Sequence, residues 1–473
     1  MQSRRDQVQA YFFVVGRMVA AVTHGRPDVL QAPNRRLTTG TALGVLVAAL
    51  LVAIFGIYGL FVPGGNTSWR TPGAIVMDKN TGARFVFLDG QLRPVLNYAS
   101  ARLAAGNAGG KIVSVSQSSL RGTPVGQPIG IPGGPDGIPQ ATNLDRGGWT
   151  VCASPPADGA AGATTVSLLV GAPATPALSD AQAMLVSTPD GVTHLLWQGQ
   201  RHRLGDATVV QALGYGDAVP VPVTPGWLNP IPSGRDIAVP DLGGAGGPGP
   251  VVDGRPTRIG QVLEVRNPAI DSDQLYLVRA DGVTPLTRTT AAMVLAAPQT
   301  RPAYPNAAVT PVEVGPAALV GVPRSPGVDL VDGLPPVPPE AVTPPRDAVP
   351  CARFEPAAPD ARARLEMVPA SLVRSATVPT ARHEAGTMTD TVGIPAGRGV
   401  LARELSAPGA APGAAFLVTD VGVRYPLQDE QVMGALGYSE SSVVPVPGAL
   451  LDLLPAGPVL SVAGALQEQA PDS

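Results

Sequence analysis

One uncharged apolar run near the N-terminus, Thr41–Val62, constrains this chain more than any other feature. At a rise of about 1.5 Å per residue, its 22 residues make a helix of roughly 33 Å, whereas the hydrocarbon core of a bilayer is about 30 Å thick. A run of this length without a polar face is solvated better by lipid than by water. The sequence therefore predicts one membrane-crossing helix, within residues 40–62, followed by a large domain on one side.

The distribution of basic residues predicts which side that domain occupies. Residues 1–39 contain six arginines, whereas the first stretch after the apolar run contains only Arg70, Lys79 and Arg84. An excess of positive charge before a span keeps that end in the cytoplasm, so we expect the C-terminal bulk outside. A cleaved signal peptide is the alternative, but its basic region and apolar core are normally shorter than these. An uncleaved, single-pass anchor in the inner membrane is the favoured interpretation.

The segment before the span has a helical pattern of its own. Ser3 is placed to cap a helix, and Arg4, Arg5 and Arg17 are its basic residues. One apolar stripe recurs at helical spacing: Val8, Tyr11, Phe12, Val15, Val19 and Val22. Such a helix either docks on the membrane helices of a partner or lies on anionic lipid.

The composition predicts a strand-rich α+β fold for the remainder. Gly (56) and Pro (53) make up about 23% of the 473 residues, and aromatic residues only 4%. This balance favours short strands, many turns and long connections that contain proline. The net charge of −3 argues against a nucleic-acid partner.

A pattern of apolar strand, glycine turn, short strand and short helix occurs four times. The segments are 83–106, 193–215, 274–297 and 415–438, and the predicted turn glycines are Gly90, Gly199, Gly282 and Gly422. Gly191 offers a competing turn in the second segment. The second and fourth segments also share a tail, in which Ala-Leu-Gly-Tyr lies 22 residues before the glycine of a Pro-x-Gly. These likenesses predict internal duplication.

The two cysteines fit the same duplication. Cys152 and Cys351 both lie outside the membrane by the predicted topology, and an oxidising compartment favours a disulfide between them. Two separate buried thiols are the alternative. The segments around them, 151–170 and 350–369, resemble each other, so the chain divides into two similar halves. A pseudo-two-fold axis between the halves would bring the cysteines together, which favours the bridge.

Composition changes mark the predicted boundaries. Residues 241–250 are rich in glycine and separate the halves, residues 334–350 contain seven prolines and should be extended, and the polar tail 466–473 is expected to fray. The predicted parts are a cytosolic segment (1–39), the span (40–62), linker and repeat 1 (63–141), the first half of a central domain (142–180), repeat 2 and linker (181–250), repeat 3 with a preceding strand (251–330), a Pro-rich linker and the second central half (331–405), and repeat 4 with the C-terminal tail (406–473).

Taken together, the motifs resemble the EccB family, a membrane component of the type VII (ESX) secretion systems of actinobacteria. The likeness covers nearly the whole chain and is carried by SRRDQVQAYFFVVGRMVAAV (3–22), LDGQLRPVLNYASARLAAGN (88–107), PVGQPIGIPGGPDGIP (124–139), the WTVC segment (149–152) and the repeats. The resemblance implies an elongated extracytoplasmic domain of four repeats around a central β-rich domain with a disulfide at its centre. It implies a homo-oligomer in a complex with EccC-, EccD- and EccE-like subunits, near a mycosin protease. It also favours docking on a partner for the N-terminal helix.

Family members are often labelled ATPases, yet no phosphate-binding loop is apparent. A Gly-x4-Gly-Lys-[Ser/Thr] motif at Gly110-Lys111 would need glycine and Ser/Thr where Ala105 and Ile112 stand. ATP is a cofactor only if the family label holds, and no other cofactor is predicted.

Other catalytic or metal-binding constellations are also missing from the sequence. His194 and His202 flank a hairpin and are expected to be ordinary surface residues, His383 lacks the second histidine of a zinc protease, and His24 lies on the cytosolic side. Asp136, Asp190 and Asp281 adjoin glycines, which indicates turns. We therefore expect a scaffold without catalytic or metal-binding residues. An ATP-hydrolysing component and a cell-wall-binding repeat module are the alternatives.

Overall fold

The structure is a computed structural model that describes residues 3–25, 34–61, 67–106, 112–155, 164–326, 329–356, 362–380, 387–406, 411 and 413–469; the side chains of 24, 34, 35, 60 and 61 are excepted. Strands and short helices alternate along it, which is the mixed, strand-rich α+β fold that the composition predicts. The chain forms two compact units. One comprises Met1–Arg70, Met77–Gly82 and Val113–Thr123, and the other comprises Thr71–Val76, Ala83–Ile112 and Pro124–Ser473.

The helices are short after the first two. They are α1 (Arg4–His24), α2 (Asn34–Phe61), α3 (Tyr98–Ala105), α4 (Gln117–Leu120), α5 (Ala207–Ala212), α6 (Pro225–Leu228), α7 (Arg288–Ala296), α8 (Ala370–Ala376), α9 (Glu430–Ala435), α10 (Gly448–Leu451) and α11 (Val462–Leu466).

The strands up to residue 258 are β1 (Ile75–Asp78), β2 (Arg84–Leu88), β3 (Gln91–Pro94), β4 (Ile112–Val115), β5 (Trp149–Ser154), β6 (Thr165–Val170), β7 (Gln182–Ser187), β8 (Thr193–Trp197), β9 (Gln200–Arg203), β10 (Val221–Pro222), β11 (Pro248–Val252) and β12 (Arg255–Arg258). Those that follow are β13 (Val262–Asn267), β14 (Ser272–Arg279), β15 (Gly282–Leu286), β16 (Val312–Val314), β17 (Glu340–Ala341), β18 (Ala348–Phe354), β19 (Arg364–Pro369), β20 (Val378–Pro379), β21 (Thr391–Gly393), β22 (Gly399–Leu405), β23 (Ala415–Thr419), β24 (Arg424–Leu427) and β25 (Val444–Pro447).

The two N-terminal helices both begin at polar residues, Arg4 and Asn34. At the start of α1, the Asp6 carboxylate accepts hydrogen bonds from the Ser3 backbone N–H (3.1 Å) and hydroxyl (2.9 Å), so Ser3 caps the helix as predicted. Helix α2 begins six residues before the predicted span 40–62, because the polar residues ahead of the apolar run also adopt helical conformation. Its stretch Arg36–Gly59 is long and apolar enough to cross a membrane. Residue 62 lies outside the described part.

A six-stranded sheet forms the centre of the larger unit. Its order is β19-β18-β5-β6-β21-β20, and β5 and β18 are antiparallel neighbours in the middle. Strand β5 pairs with β6, and β18 pairs with β19, so each central strand has its own hairpin partner on the outer side. The residues of β5 and β18 are almost all buried, as expected for strands covered on both faces.

Three smaller sheets that lie wholly within the larger unit share one strand order. They are β9-β8-β7-β10, β15-β14-β13-β16 and β24-β23-β22-β25. The parallel pairs in these sheets are β7 with β10, β13 with β16, and β22 with β25. The β2–β3 hairpin, followed by α3, has the same local form as the hairpins of these sheets. Each of the four segments therefore contains a hairpin followed by a helix.

Three of the four predicted turn glycines lie in hairpin turns. Gly90 and Gly199 have φ of 76° and 73° at the second position of two-residue turns, a conformation in which glycine avoids steric strain. Gly422 has φ of 73° in a longer turn. The prediction for Gly282 was wrong by one position, because the two-residue turn precedes it and Gly282 pairs with Arg279 as the first residue of β15. Gly191, the competing glycine, lies in the separate turn between β7 and β8.

The glycine-rich linker and the C-terminal tail are both held by contacts with other segments. In the glycine-rich linker 241–250, Leu242 is buried and Gly246 donates its N–H to the Ile259 carbonyl (2.9 Å). In the C-terminal tail, Gln469 donates its N–H to Pro128 (2.8 Å), so residues up to 469 do not fray. Both segments donate their backbone N–H groups to carbonyls of other segments, which composition alone does not reveal. Residues 470–473 lie outside the described part.

Candidate functional site

The two histidines of the second hairpin do not form a site together. His194 lies opposite Arg203 and His202 opposite Leu195, so their side chains point to opposite faces of the sheet. His202 is fully buried, which corrects the prediction of a surface residue. Its Nδ1 lies 2.8 Å from the Arg235 carbonyl oxygen, and burial lowers its pKa because the charged ring would lose its hydration.

Two aspartates that adjoin glycines make hydrogen bonds that support local structure. Asp136 accepts hydrogen bonds from Arg84 (2.6 Å) and from the N–H of Tyr98 (2.9 Å), and thereby holds the start of α3. The Thr188 hydroxyl lowers the pKa of Asp190 within its turn. Groups of three or more potential metal ligands are absent from the described ranges. Gly110, Lys111 and His383 lie outside these ranges, as does the side chain of His24.

The centre of the large unit is built around a covalent bond. Cys152 and Cys351 form a disulfide between β5 and β18, with Cα atoms 4.1 Å apart and 199 residues between them in sequence. Both cysteines are fully buried. On the outer strands, Ser167 lies opposite Cys152 and Glu366 opposite Cys351. The disulfide therefore joins the chain before and after the linker 241–250 at the middle of the central sheet.

A segment from before the linker crosses to the far edge of the sheet; we call residues 172–178 the first strap. Within it, Thr175 donates its N–H (3.0 Å) and its hydroxyl (2.8 Å) to the buried carboxylate of Glu366. Leu178 donates its N–H to the Leu365 carbonyl of β19 (2.9 Å). The first strap thus binds the second half of the chain at the residue that faces Cys351.

A segment from after the linker makes the reciprocal crossing; we call residues 387–393 the second strap. Thr391 donates its hydroxyl to the Ser167 hydroxyl (2.8 Å), the residue that faces Cys152. Asp390 donates its N–H to the Val166 carbonyl (2.9 Å) and accepts the Val166 N–H on its carboxylate (2.7 Å). Each half therefore holds an outer strand of the other half.

Two buried tyrosines fasten the same halves. Tyr215 donates its hydroxyl to the Pro339 carbonyl (2.8 Å), and Tyr438 donates its hydroxyl to the Pro139 carbonyl (2.7 Å). Both are the tyrosines of the Ala-Leu-Gly-Tyr motifs, and each reaches across to the other half. Burial raises the pKa of both phenols, because the ionised form would lose its hydration. The repeated tetrapeptide was visible in the sequence, but its bonding partners were not.

The four hairpin segments pack in pairs. One core joins the first and fourth segments, for example through Leu103 and Leu417, and another joins the second and third, for example through Leu195 and Met293. In the second core, α5 packs against α7. Because each hairpin buries one face only, pairing completes a core that a single segment lacks.

Helix α1 exposes more apolar surface than the predicted stripe. All six stripe residues are at least 38% exposed. The sequence interpretation omitted three further exposed apolar side chains, Phe13, Val14 and Met18. Arg17 lies over the Phe13 ring at 6.0 Å, and the rings of Tyr11 and Phe12 lie 6.0 Å apart, edge to face.

Comparison with known proteins identifies the family. A family profile described as type VII secretion system ESX-1, transport TM domain B, matches residues 1–471. The chain belongs to the EccB family. Two EccB proteins align with almost all of this chain. "ESX-3 secretion system ATPase EccB3" of Mycolicibacterium smegmatis is 31% identical over 98% of this chain and 90% of its own length. "ESX-2 secretion system ATPase EccB2" of Mycobacterium tuberculosis is 28% identical over 98% of this chain and 94% of its own length.

Chains from solved ESX complexes share the mixed α+β fold of this chain. A chain from an intact ESX-5 inner membrane complex superposes with a TM-score of 0.70 at 26% identity, covering 100% of this chain and 97% of that one. The EccB3 dimer from the ESX-3 core complex superposes with a TM-score of 0.67 at 29% identity, covering 83% of this chain and 100% of that one.

Proposed function

We propose that this EccB chain is a structural subunit of a type VII (ESX) secretion membrane complex, which anchors and shapes the extracytoplasmic part of the complex for protein export. The proposal rests on the central sheet, where one disulfide and the first and second straps join the two halves of the chain. A frame tied in this way resists deformation and keeps its outer surfaces in fixed positions. Structural relatives that occur within ESX inner membrane complexes support the same role.

The four hairpin segments are proposed to be true repeats with pseudo-two-fold symmetry. After each helix the chain returns and forms a parallel bridge with the second strand of its own hairpin. The bridged pairs are Leu92 with Val125, Arg201 with Ser233, Val283 with Arg324, and Arg424 with Ala456. Each cysteine faces a residue 15 positions later, Ser167 or Glu366. Equal registers on both sides of the disulfide are what a two-fold axis through it would produce. The eight sequence-based parts, from 1–39 to 406–473, are retained as the domain proposal.

For the orientation, we place the N-terminus in the cytoplasm and the large unit outside. The six arginines before α2 support this orientation by the positive-inside rule. A buried disulfide is typical of proteins that fold in an oxidising compartment, which supports it independently. A reporter fused after Ser473 should be active outside the cytoplasm only.

The proposed partners are further copies of this chain, EccC-, EccD- and EccE-like subunits, and a mycosin protease. Relatives solved as a dimer and as parts of inner membrane complexes support self-association within a larger assembly. One membrane helix cannot line a pore, so several copies or other subunits have to supply the channel.

ATP hydrolysis is the second candidate function, and the printed names of the relatives favour it. Against it, the sequence lacks the glycine and Ser/Thr of a phosphate-binding loop at its nearest match, around Gly110-Lys111. Cell-wall binding by the repeats is a third possibility that awaits a test.

One extraction experiment tests the main proposal. Mild-detergent extraction of native membranes that contain a tagged copy of this chain should yield a large assembly with an EccC-like ATPase and an EccD-like multi-span protein. Recovery of the tagged chain alone, after extraction that preserves other membrane complexes, would contradict the scaffold role. ATP hydrolysis by the purified chain that a single substitution abolishes would favour the enzymatic alternative, and co-sedimentation with purified cell wall would favour the binding module.

A further inference from the structure

The apolar side chains of α1 lie on one broad arc. At 100° per residue, eight of them fall within about 160° of the helix circumference. In order around the arc they are Val14, Met18, Tyr11, Val22, Val15, Val8, Val19 and Phe12, and each is between 38% and 87% exposed. An arc of nearly half the circumference matches a helix that lies half-immersed in a flat apolar medium.

The opposite side of α1 is polar or small. Gln9, Arg17 and Asp6 lie there with the alanines of the helix. Phe13 is the one large apolar residue on this side, and the Arg17 guanidinium covers its ring at 6.0 Å. Within the apolar arc, the polar residues are Arg4 and Gln7, and both lie in the first turn of the helix. From Val8 onward the arc is apolar.

The charges of α1 favour a negatively charged surface as its binding partner. Arg4, Arg5 and Arg17 outnumber the single acidic residue, Asp6, whose carboxylate accepts both hydrogen bonds from Ser3 at the helix start. Arg4 lies within the angular range of the apolar arc, but it is the first residue of the helix, from where a long side chain can extend to the water layer while its stem stays apolar. A helix with this excess of arginine is attracted to an anionic lipid surface.

The length of the chain between the helices keeps α1 near the bilayer. Gly25 ends α1 and Asn34 begins α2, so nine Cα–Cα steps join them. At roughly 3.3–3.6 Å per step, the C-terminal end of α1 stays within about 30 Å of the start of the membrane helix. A helix with an exposed apolar face is thus tethered next to a surface that can cover that face.

We propose that α1 lies in the plane of the cytoplasmic leaflet, with its apolar arc among the lipid chains and its arginines at anionic headgroups. The inference rests on α2 being the membrane anchor of the proposed function. In this arrangement α1 is a second, in-plane contact with the bilayer that resists rotation and tilting of α2. Docking of the same arc on a partner protein is the competing occupant.

Environment-sensitive fluorophores on the full-length chain test the proposal. The variant Phe12→Cys places a label on the apolar arc, Gln9→Cys places one on the polar side of the same helix, and Leu46→Cys reports on α2. Each labelled chain is reconstituted alone into nanodiscs of phosphatidylcholine with or without phosphatidylglycerol, and quenching by aqueous iodide is measured. The native cysteines are buried in their disulfide and do not compete for the label.

In anionic nanodiscs the label at 12 should be quenched several-fold more slowly than the label at 9, and the difference should shrink without phosphatidylglycerol. Replacing Arg4, Arg5 and Arg17 by glutamine should also reduce it. Equal quenching at 9 and 12 in anionic nanodiscs, with the label at 46 protected, would overturn the inference while leaving the anchor intact. An unprotected label at 46 would instead refute the anchor of the proposed function and the inference with it.

Discussion

Removal of the central disulfide should strongly destabilise the larger unit. The variant Cys152→Ala with Cys351→Ala opens a loop with a sequence separation of 199 residues. In the chain-entropy treatment, closing a loop of that length restricts the unfolded chain by roughly 5 kcal/mol at 25 °C, which is an upper estimate of the loss. The two alanines keep the site apolar, so the loss comes mainly from the greater freedom of the unfolded chain.

Urea unfolding of the full-length chain, reconstituted as above, measures this loss. Trp149 and Trp227, two of the four tryptophans, are buried in the core around the central sheet, so much of the intrinsic fluorescence reports on that core. We expect a lower midpoint and a steeper dependence on urea, because an unfolded chain without the cross-link exposes more surface. Reducing agent should shift the wild-type chain to the same curve. A free energy of unfolding within about 1 kcal/mol of the wild type would refute the argument from loop closure.

Three further predictions concern the outer segments. Tyr438→Phe leaves the Pro139 carbonyl without its donor and should lower the free energy of unfolding by about 1–3 kcal/mol in urea titrations; Tyr276→Phe, at an exposed hydroxyl, should change it by less than about 0.5 kcal/mol. Burial lowers the pKa of His202, so the folded chain keeps its ring neutral while the unfolded chain takes up a proton below about pH 6.5. The free energy of unfolding should therefore fall as the pH drops through that value. If His202→Gln shows the same pH dependence as the wild type, His202 is not its source. Gly457→Ala pushes a methyl group into the Tyr425 ring and should cost about 1–3 kcal/mol, whereas Gly434→Ala in α9 meets open space and should be neutral or stabilising by thermal melting.

Local patterns in the sequence were sufficient for the elements that depend on local chemistry. The hairpin turn at Gly199 was predictable because a two-residue turn needs positive φ there. The start of α1 was predictable because Ser3 is a good capping residue. The turn at Gly282 was misplaced by one residue because the pattern could not distinguish a turn residue from the first residue of the next strand.

Contacts between distant residues could not be predicted in the same way. His202 flanks a hairpin and was expected to be an ordinary surface residue, yet its ring is buried and packs against Gly234. The straps were invisible because neither Thr175 nor Thr391 has a local motif. Each gains its role from a partner roughly 190 to 225 residues away.

The sequence by itself indicated a helix long and apolar enough to cross a membrane, the family and the hairpins, because an apolar run, a turn and a helix start are set by residues close together in the chain. Only the tertiary structure decided that the two halves exchange straps and that each motif tyrosine bonds across to the other half. Those bonds depend on which strands become neighbours. Strand neighbours are selected by the burial of all the hairpin faces at once, which no single stretch of sequence specifies.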